Sequence, residues 1–337
     1  MRTGTRKLRI SAAVVLCAAI AAALIAANSL AGRAAQPSAA ADLLDALPAG
    51  ASTLVYLDLA AIRASSFYQH RPDKGPIAVP NQDYQGFVRS TGFDFEKDLD
   101  RAVIGLWPAE PNSRKSVAIA EGRFDREKIR SYAETQGRID HQRGRDVFLF
   151  PTSAPGGWNS AVFLDEHRLA LVSGQSIDPL FETHSAGAAS NPVRERAARF
   201  DGAAAFAVSQ IPAIPDDPGN GPLASPAGAQ LLTLVRSIRW VTFALRPEGD
   251  TWRIALEGEC DNGESAHELQ SALELLRAFG RMGLQDPKTR GSMSPEELAS
   301  LQSVLNSAEV TQTDQRVRVL VELTPDIFKS GDNGKQH

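Results

Sequence analysis

The sequence predicts an α+β fold: two weakly similar halves, each a mainly antiparallel sheet with helices packed on one face, after an N-terminal hydrophobic helix. Three observations predict it. Strands with apolar residues at every second position recur along the chain, which is the pattern of a sheet with one wet face. Turn residues join several of these strands into hairpins. The order strand, loop and helix, hairpin, helix, strand occurs twice, so the halves read as an internal repeat of element order with little residue identity.

Residues 1–33 come first. Arg2, Arg6, Lys7 and Arg9 precede 23 uncharged residues, Ile10 to Gly32, which Arg33 closes. At 1.5 Å per residue a helix of this length crosses a hydrocarbon layer of about 30 Å. The basic flank holds the N-terminus in the cytoplasm, so everything after Arg33 is exported. Ser29-Leu30-Ala31 offers small residues to a signal peptidase, and residues 1–33 read equally as a signal peptide or a transmembrane anchor. Cys17 follows Leu16, where a lipoprotein site needs a small residue, so it reads as a filler of an apolar helix. Residues 34–42 read as a linker, with only Ala, Ser, Pro and Gln from Ala35 to Ala41.

The first half spans 43–198 and the second 199–329, before a disordered tail, 330–337. After a helical turn around Leu43 to Leu47, Leu47-Pro48-Ala49-Gly50 turns the chain into the strand Ser52 to Leu59, with the Val55 face expected inside. Phe200-Asp201-Gly202 launches Ala203 to Gln210 in the same way. A Pro-rich loop follows each strand, Tyr68 to Pro80 and Ile211 to Pro226, because proline fixes φ and removes a donor. Helices then follow at Gln82 to Ser90 and Ala227 to Arg236. Next come hairpins, Ala102 to Trp107 with Ser116 to Glu121, and Trp240 to Leu245 with Trp252 to Glu259, the latter turning at Pro247-Glu248-Gly249-Asp250.

Asp125 caps a helix to Gln136, and Asp261 or Asn262 caps one from Glu264 to Arg281, whose Ala266, Leu269, Leu273, Leu276 and Phe279 or Gly280 form an apolar stripe. Val147 to Phe150 and Arg316 to Leu323 close the two copies. An extra hairpin, Ser160 to Asp165 with Arg168 to Ser173, lies between them. Ser294-Pro295-Glu296-Glu297 announces a further helix by a capping box with proline at N1.

Composition narrows the function classes. Four of the 36 Lys and Arg, and none of the 40 Asp and Glu, precede Gly32, so the exported part carries a formal charge of −8. That balance argues for solubility and against nucleic acid as a partner. Cys260 is the only cysteine outside the apolar segment, so no disulfide is expected and its alternating strand makes it a buried structural thiol.

Catalytic motifs are absent from the sequence. His267-Glu268 has Ser271 where a zincin needs its second histidine, and His70, His141, His167 and His184 stand without a second histidine or cysteine beside them. Asp94, Glu96, Asp98 and Asp100 alternate like the start of an EF-hand, but Leu99 and Gly105 occupy its glycine and glutamate positions. They read instead as a solvated first helical turn. Gly219-Asn220-Gly221 does not directly follow a strand, and Gly283 to Thr289 carries Pro287 where a phosphate loop needs glycine. No metal, cofactor, catalytic or ligand-binding residue is assigned.

At Leu47-Pro48-Ala49-Gly50-Ala51, Tyr56, Asp58, Thr91-Gly92-Phe93-Asp94, Asp98-Leu99-Asp100 and Glu121-Gly122-Arg123-Phe124-Asp125, the chain resembles a group of uncharacterised exported bacterial proteins known as domains of unknown function. The resemblance implies an envelope protein with an α+β repeat and no assigned activity. The expected function is therefore a non-enzymatic, extracytoplasmic (periplasmic) protein, secreted or held by a single membrane pass, that binds an envelope protein partner or a small ligand. The alternative is an extracytoplasmic enzyme with a site between the halves, drawn from Tyr68, His70, Asp216 and Asp217 of the Pro-rich loops.

Overall fold

The structure, a computed structural model, describes residues 40–70, 82–108, 115–152, 156–181, 192–212, 234–291 and 293–324. The N-terminal segment, Asp216, Asp217, His184, residues 227–233 of the helix expected from Ala227 to Arg236, and the tail lie outside the described residues. Among the described residues no helix is long and apolar enough to cross a membrane. The elements in chain order are α1 (Ala41–Asp45), β1 (Thr53–Asp58), α2 (Leu59–Arg63), α3 (Ser66–Gln69), α4 (Gln82–Thr91), α5 (Phe95–Asp98), β2 (Leu99–Leu106), β3 (Ser116–Gly122) and α6 (Arg126–Gln136). There follow β4 (Arg138–Gln142), β5 (Arg145–Pro151), β6 (Trp158–Phe163), β7 (Arg168–Ser173), α7 (Pro192–Ala197) and a 3-10 turn, Ala198–Phe200. The second set is β8 (Ala205–Gln210), β9 (Ile238–Glu248), β10 (Thr251–Cys260), α8 (Gly263–Gly283), α9 (Pro287–Gly291), α10 (Pro295–Ser307), β11 (Glu309–Thr313) and β12 (Arg316–Leu323).

The fold is α+β, and the chain divides into two compact units. The first holds the described residues up to Ala60 and those from 82 to 181; the second begins again at Pro192 and also takes in the described residues from Ala61 to His70. The first unit's strands run β1-β2-β3-β7-β6-β5-β4, and every neighbouring pair is antiparallel. In the second unit the order is β8-β9-β10-β12-β11, again antiparallel throughout.

This topology reassigns the repeat. β12 pairs with β10 as β7 pairs with β3, so the hairpin β6-β7 occupies the place of β11-β12. The inserted hairpin is therefore β4-β5, at the edge of the first unit, and not Ser160 to Ser173 as the order of elements implied. Strands β4 and β11 have no counterpart in the sequence reading. Both are five residues long, polar, and largely exposed, so neither carries the apolar alternation that marks a strand.

Capping follows the sequence closely. Asp125 accepts from the Lys128 amide at 3.1 Å, and Asn262, not Asp261, accepts from the Ser265 amide at 2.9 Å. Ser294 Oγ accepts from the Glu297 amide at 3.1 Å while Glu297 Oε2 accepts from the Ser294 amide at 2.8 Å, which completes the capping box. The alternate acids resolve into a cap: Asp94 caps α5, and its carboxylate, with those of Asp98 and Asp100, pairs with Lys97 or Arg123.

In the first unit α6 lies over the face that carries Ala118, Ala120, Phe148 and Phe163, where Phe124 and Phe163 meet edge-on at 6.0 Å. In the second, α8 lays Ala266, Leu269 and Leu273 on Cys260 and Val317. Cys260 is a free, buried thiol, and burial raises its pKa. β1 is buried on both faces, because Leu54 and Tyr56 are as enclosed as Val55 and Leu57. Phe67 of α3 packs within the second unit, stacked on the fully buried Trp252 at 4.2 Å. Each such aromatic contributes roughly 1.5–3 kcal/mol by burial.

Candidate functional site

In each unit the strand face opposite the long helix carries charge, and register explains how. Side chains two apart on a strand share a face, so Glu257 and Glu259 of β10 point the same way. Across the ladder they stand opposite Arg318 and Arg316 of β12, and opposite Thr242 and Trp240 of β9. Gly258, between them, faces Leu269 of α8 on the other side of the sheet. α7 and the 3-10 turn after it cover the charged face and bring Arg196 and Arg199 down on it, three residues apart.

Most of these charges are matched. Glu257, 5% exposed, takes Arg318 Nη2 at 3.0 Å on one oxygen and lies 3.1 Å from Arg199 Nη1 on the other. Arg196 grips Glu259 through both nitrogens, with Nε donating to Oε2 at 3.0 Å, and its guanidinium stacks 4.2 Å from the Trp240 ring. Bidentate pairs of this kind are the stronger ion pairs of proteins. The rest is less complete. The Arg316 side chain makes no hydrogen bond or ion pair among the described residues, although its register partner is Glu259. Thr242 Oγ1 and Glu257 Oε1 are buried with no hydrogen-bond partner there, the latter facing Arg199 as an ion pair alone.

Above Arg316 opens a groove of about 390 Å³, walled by Arg196 and Arg199 on one side and by Glu259 and the turn Asp314-Gln315 on the other, with Glu195 at its edge. Arg199 is less basic than an ordinary arginine. Burial is the main cause, and the like charges of Arg316 and Arg196 add to it against the attraction of Glu257 and Glu259. A guanidinium pair short of carboxylate is suited to a phosphate or carboxylate brought from outside, since each planar fork presents parallel donors to two oxygens. Its described lining is three carboxylates, three arginines and Gln315.

The first unit builds the same ladder and closes it. Glu121 of β3 stands opposite Arg101 of β2 and Arg168 of β7. Arg101 Nε donates to Glu121 Oε1 at 3.1 Å and Arg168 Nε to Oε2 at 3.3 Å. α1 covers this face as α7 covers the other, but it brings an acid: Asp42 accepts from Arg168 Nη2 at 2.6 Å and lies 3.6 Å from Arg101. Two arginines thus meet two carboxylates. Burial, with Asp58 beside it, holds the nearby Tyr56 phenol protonated far above its ordinary range.

Glu121-Gly122-Arg123-Phe124-Asp125 and Glu257-Gly258-Glu259-Cys260-Asp261 are the two copies of this corner. Each glutamate faces an arginine on the next strand, Arg168 or Arg318. The shared Glu-Gly-x-x-Asp is the one sequence signal that could have found the ladders.

The residues considered from sequence fall elsewhere. Tyr68 and His70 sit at the end of α3, where His70 Nδ1 lies 3.2 Å from Ser66 Oγ. His141 lies 3.3 Å from Asp146, and His267 is exposed on α8. The Gly283 to Thr289 stretch is the end of α8 and the start of α9. Among the described residues no group of three His, Cys, Asp or Glu is placed to hold a metal ion.

By fold, then, the chain is an α+β protein whose strands pair antiparallel within each unit. No family model and no curated protein matches it. Among solved structures it is similar to TP0453 in three crystal forms, each 7% identical in sequence. The TM-scores are 0.48 for form III, 0.46 for form I and 0.43 for form IV. The first two alignments cover 86% of this chain and 96% of TP0453, and the third 85% and 94%.

Proposed function

We propose that the chain is an exported envelope protein that acts by binding rather than by catalysis, and that its ligand presents an oxyanion to the arginine groove of the second unit. The observation that carries this reading is the Arg316 side chain, unpaired among the described residues beside a partly covered Arg199 of lowered basicity, where two carboxylates meet the two arginines of the equivalent ladder in the first unit. Export rests on the basic flank and the 23 uncharged residues after it, through which the protein also meets the membrane. The ligand is a small acid or the acidic group of an envelope partner. The acidic exported body makes nucleic acid a poor partner.

The test is calorimetric titration of the full chain in detergent micelles with inorganic phosphate, beside Arg316→Gln. A saturable heat that Arg316→Gln weakens at least roughly tenfold supports the reading, since charged hydrogen bonds contribute about 1.5–3 kcal/mol. Equal binding by both proteins removes it. Fractionation of cells tests export separately: the reading requires the body to be cleaved by protease added outside the cytoplasmic membrane.

A further inference from the structure

The groove holds unpaired charge of both signs, arranged from the inside outward. Arg316 is half-buried on the sheet, while Glu195 on α7 and Asp314 in the β11-β12 turn are exposed at the edge. Neither carboxylate makes an ion pair among the described residues, and neither comes within 4.0 Å of a guanidinium of Arg196, Arg199 or Arg316. The remaining acids that face these arginines are engaged: Glu259 by Arg196, and Glu257 by Arg199 and Arg318. A bare anion would satisfy the inner arginines and leave its second side against two carboxylates. A ligand with a positive group a few bonds from its acid would satisfy both.

We infer that the groove takes a zwitterionic ligand, an oxyanion and an ammonium a few bonds apart, with the oxyanion between Arg199 and Arg316 and the ammonium toward Glu195 and Asp314. The phosphoethanolamine group is the representative of that chemistry, free or as a lipid head group. This inference rests on the reading of the groove as an oxyanion site. It adds a prediction that the reading lacks: the rim acids attract part of the ligand instead of repelling all of it. The volume of about 390 Å³ is within the range of small-molecule sites and exceeds what a bare phosphate fills.

The experiment compares phosphoethanolamine with glycerol 3-phosphate, which keeps the phosphomonoester and lacks the ammonium, on the full chain in detergent micelles. Phosphoethanolamine is expected to bind roughly five- to tenfold more tightly, as one further charged contact at an exposed rim gives. Glu195→Gln combined with Asp314→Asn should abolish that preference while glycerol 3-phosphate binds as well or better. Asparagine is chosen because Asp314 has φ of 53°, which asparagine tolerates. Arg316→Gln should weaken both ligands. Equal affinity for the two ligands, unmoved by the rim variants, overturns the zwitterion and leaves the oxyanion site standing. Failure of both ligands to bind, or binding unmoved by Arg316→Gln, overturns the site itself. Vesicles of phosphatidylethanolamine and of phosphatidylglycerol then separate the sources: Arg316-dependent retention on the first alone identifies the lipid, and binding of the free head group without retention identifies a soluble ligand.

Discussion

The two units place glutamate and arginine at the same point of the same ladder, yet one is closed and the other open. In the first, α1 brings Asp42 to Arg101 and Arg168, and two carboxylates balance two guanidinium groups. In the second, α7 and the turn after it bring Arg196 and Arg199, so four arginines meet Glu257 and Glu259. The difference lies in the sign of the charge that one short helix delivers. One strand arrangement holds a balanced ion-pair network in one unit and leaves an arginine side chain unpaired among the described residues in the other, which is where a ligand is proposed.

The largest effect that separates the units is steric. A Cβ on Gly122 would lie 2.2 Å from the Asp98 carbonyl oxygen, whereas one on Gly258 would meet Leu269 at an ordinary 3.5 Å. Gly122→Ala should therefore cost about 3 kcal/mol or more in chemical denaturation. Gly258→Ala should change stability by less than about 0.5 kcal/mol, since removing a glycine from a strand offsets small adjustments. Equal costs would show that the corners do not pack as described.

A smaller effect is expected from the acids. Glu257→Gln leaves Arg199 and Arg318 short of charge but partly hydrated, and should cost roughly 1–3 kcal/mol. Asp42→Asn removes a 42% exposed partner from arginines that keep Glu121, and should cost less than about 1 kcal/mol. Urea midpoints of the two variants check the order, and a reversed order would mean that the closed network belongs to the second unit.

The smallest effect is the response to acid. In the first unit Asp125 is held below its ordinary pKa by the amide and side chain of Lys128, and Asp146 by Arg130 and then His141. Depressed carboxylates stabilise the fold above their unfolded value and lose that contribution as pH falls through the folded value. Hydrogen-exchange protection at α6 and β5, taken relative to the intrinsic rate at each pH, should thus stay constant down to about pH 4 and fall only below it. A fall in protection between pH 7 and 5 would exclude these carboxylates as the cause.

The fold was legible where it depends on neighbours in sequence. Caps at Asp125, Asn262 and Ser294, the β9-β10 turn and the first part of the α8 stripe, Ala266 to Leu273, all act within a few residues, whereas Leu276 and Phe279 further along α8 are exposed. The inserted hairpin was misplaced because sheet order is a matter of long-range pairing, and β4 and β11 were missed because their residues are polar. The groove was invisible for the same reason. Glu257 and Arg318 are 61 residues apart, and nothing in a linear reading tells a paired arginine on β12 from the unpaired Arg316 two positions before it.

The central claim is that the second unit's ladder is open to an oxyanion and the first unit's is not. Hydrogen exchange of the full chain in detergent micelles, with and without saturating inorganic phosphate, tests it most directly. The account predicts slower exchange over Pro192–Phe200 and Glu309–Leu323, lost in Arg316→Gln, with no change over β2, β3 and β7. Protection that appears equally around Arg101, Glu121 and Arg168, or that survives Arg316→Gln, would contradict it.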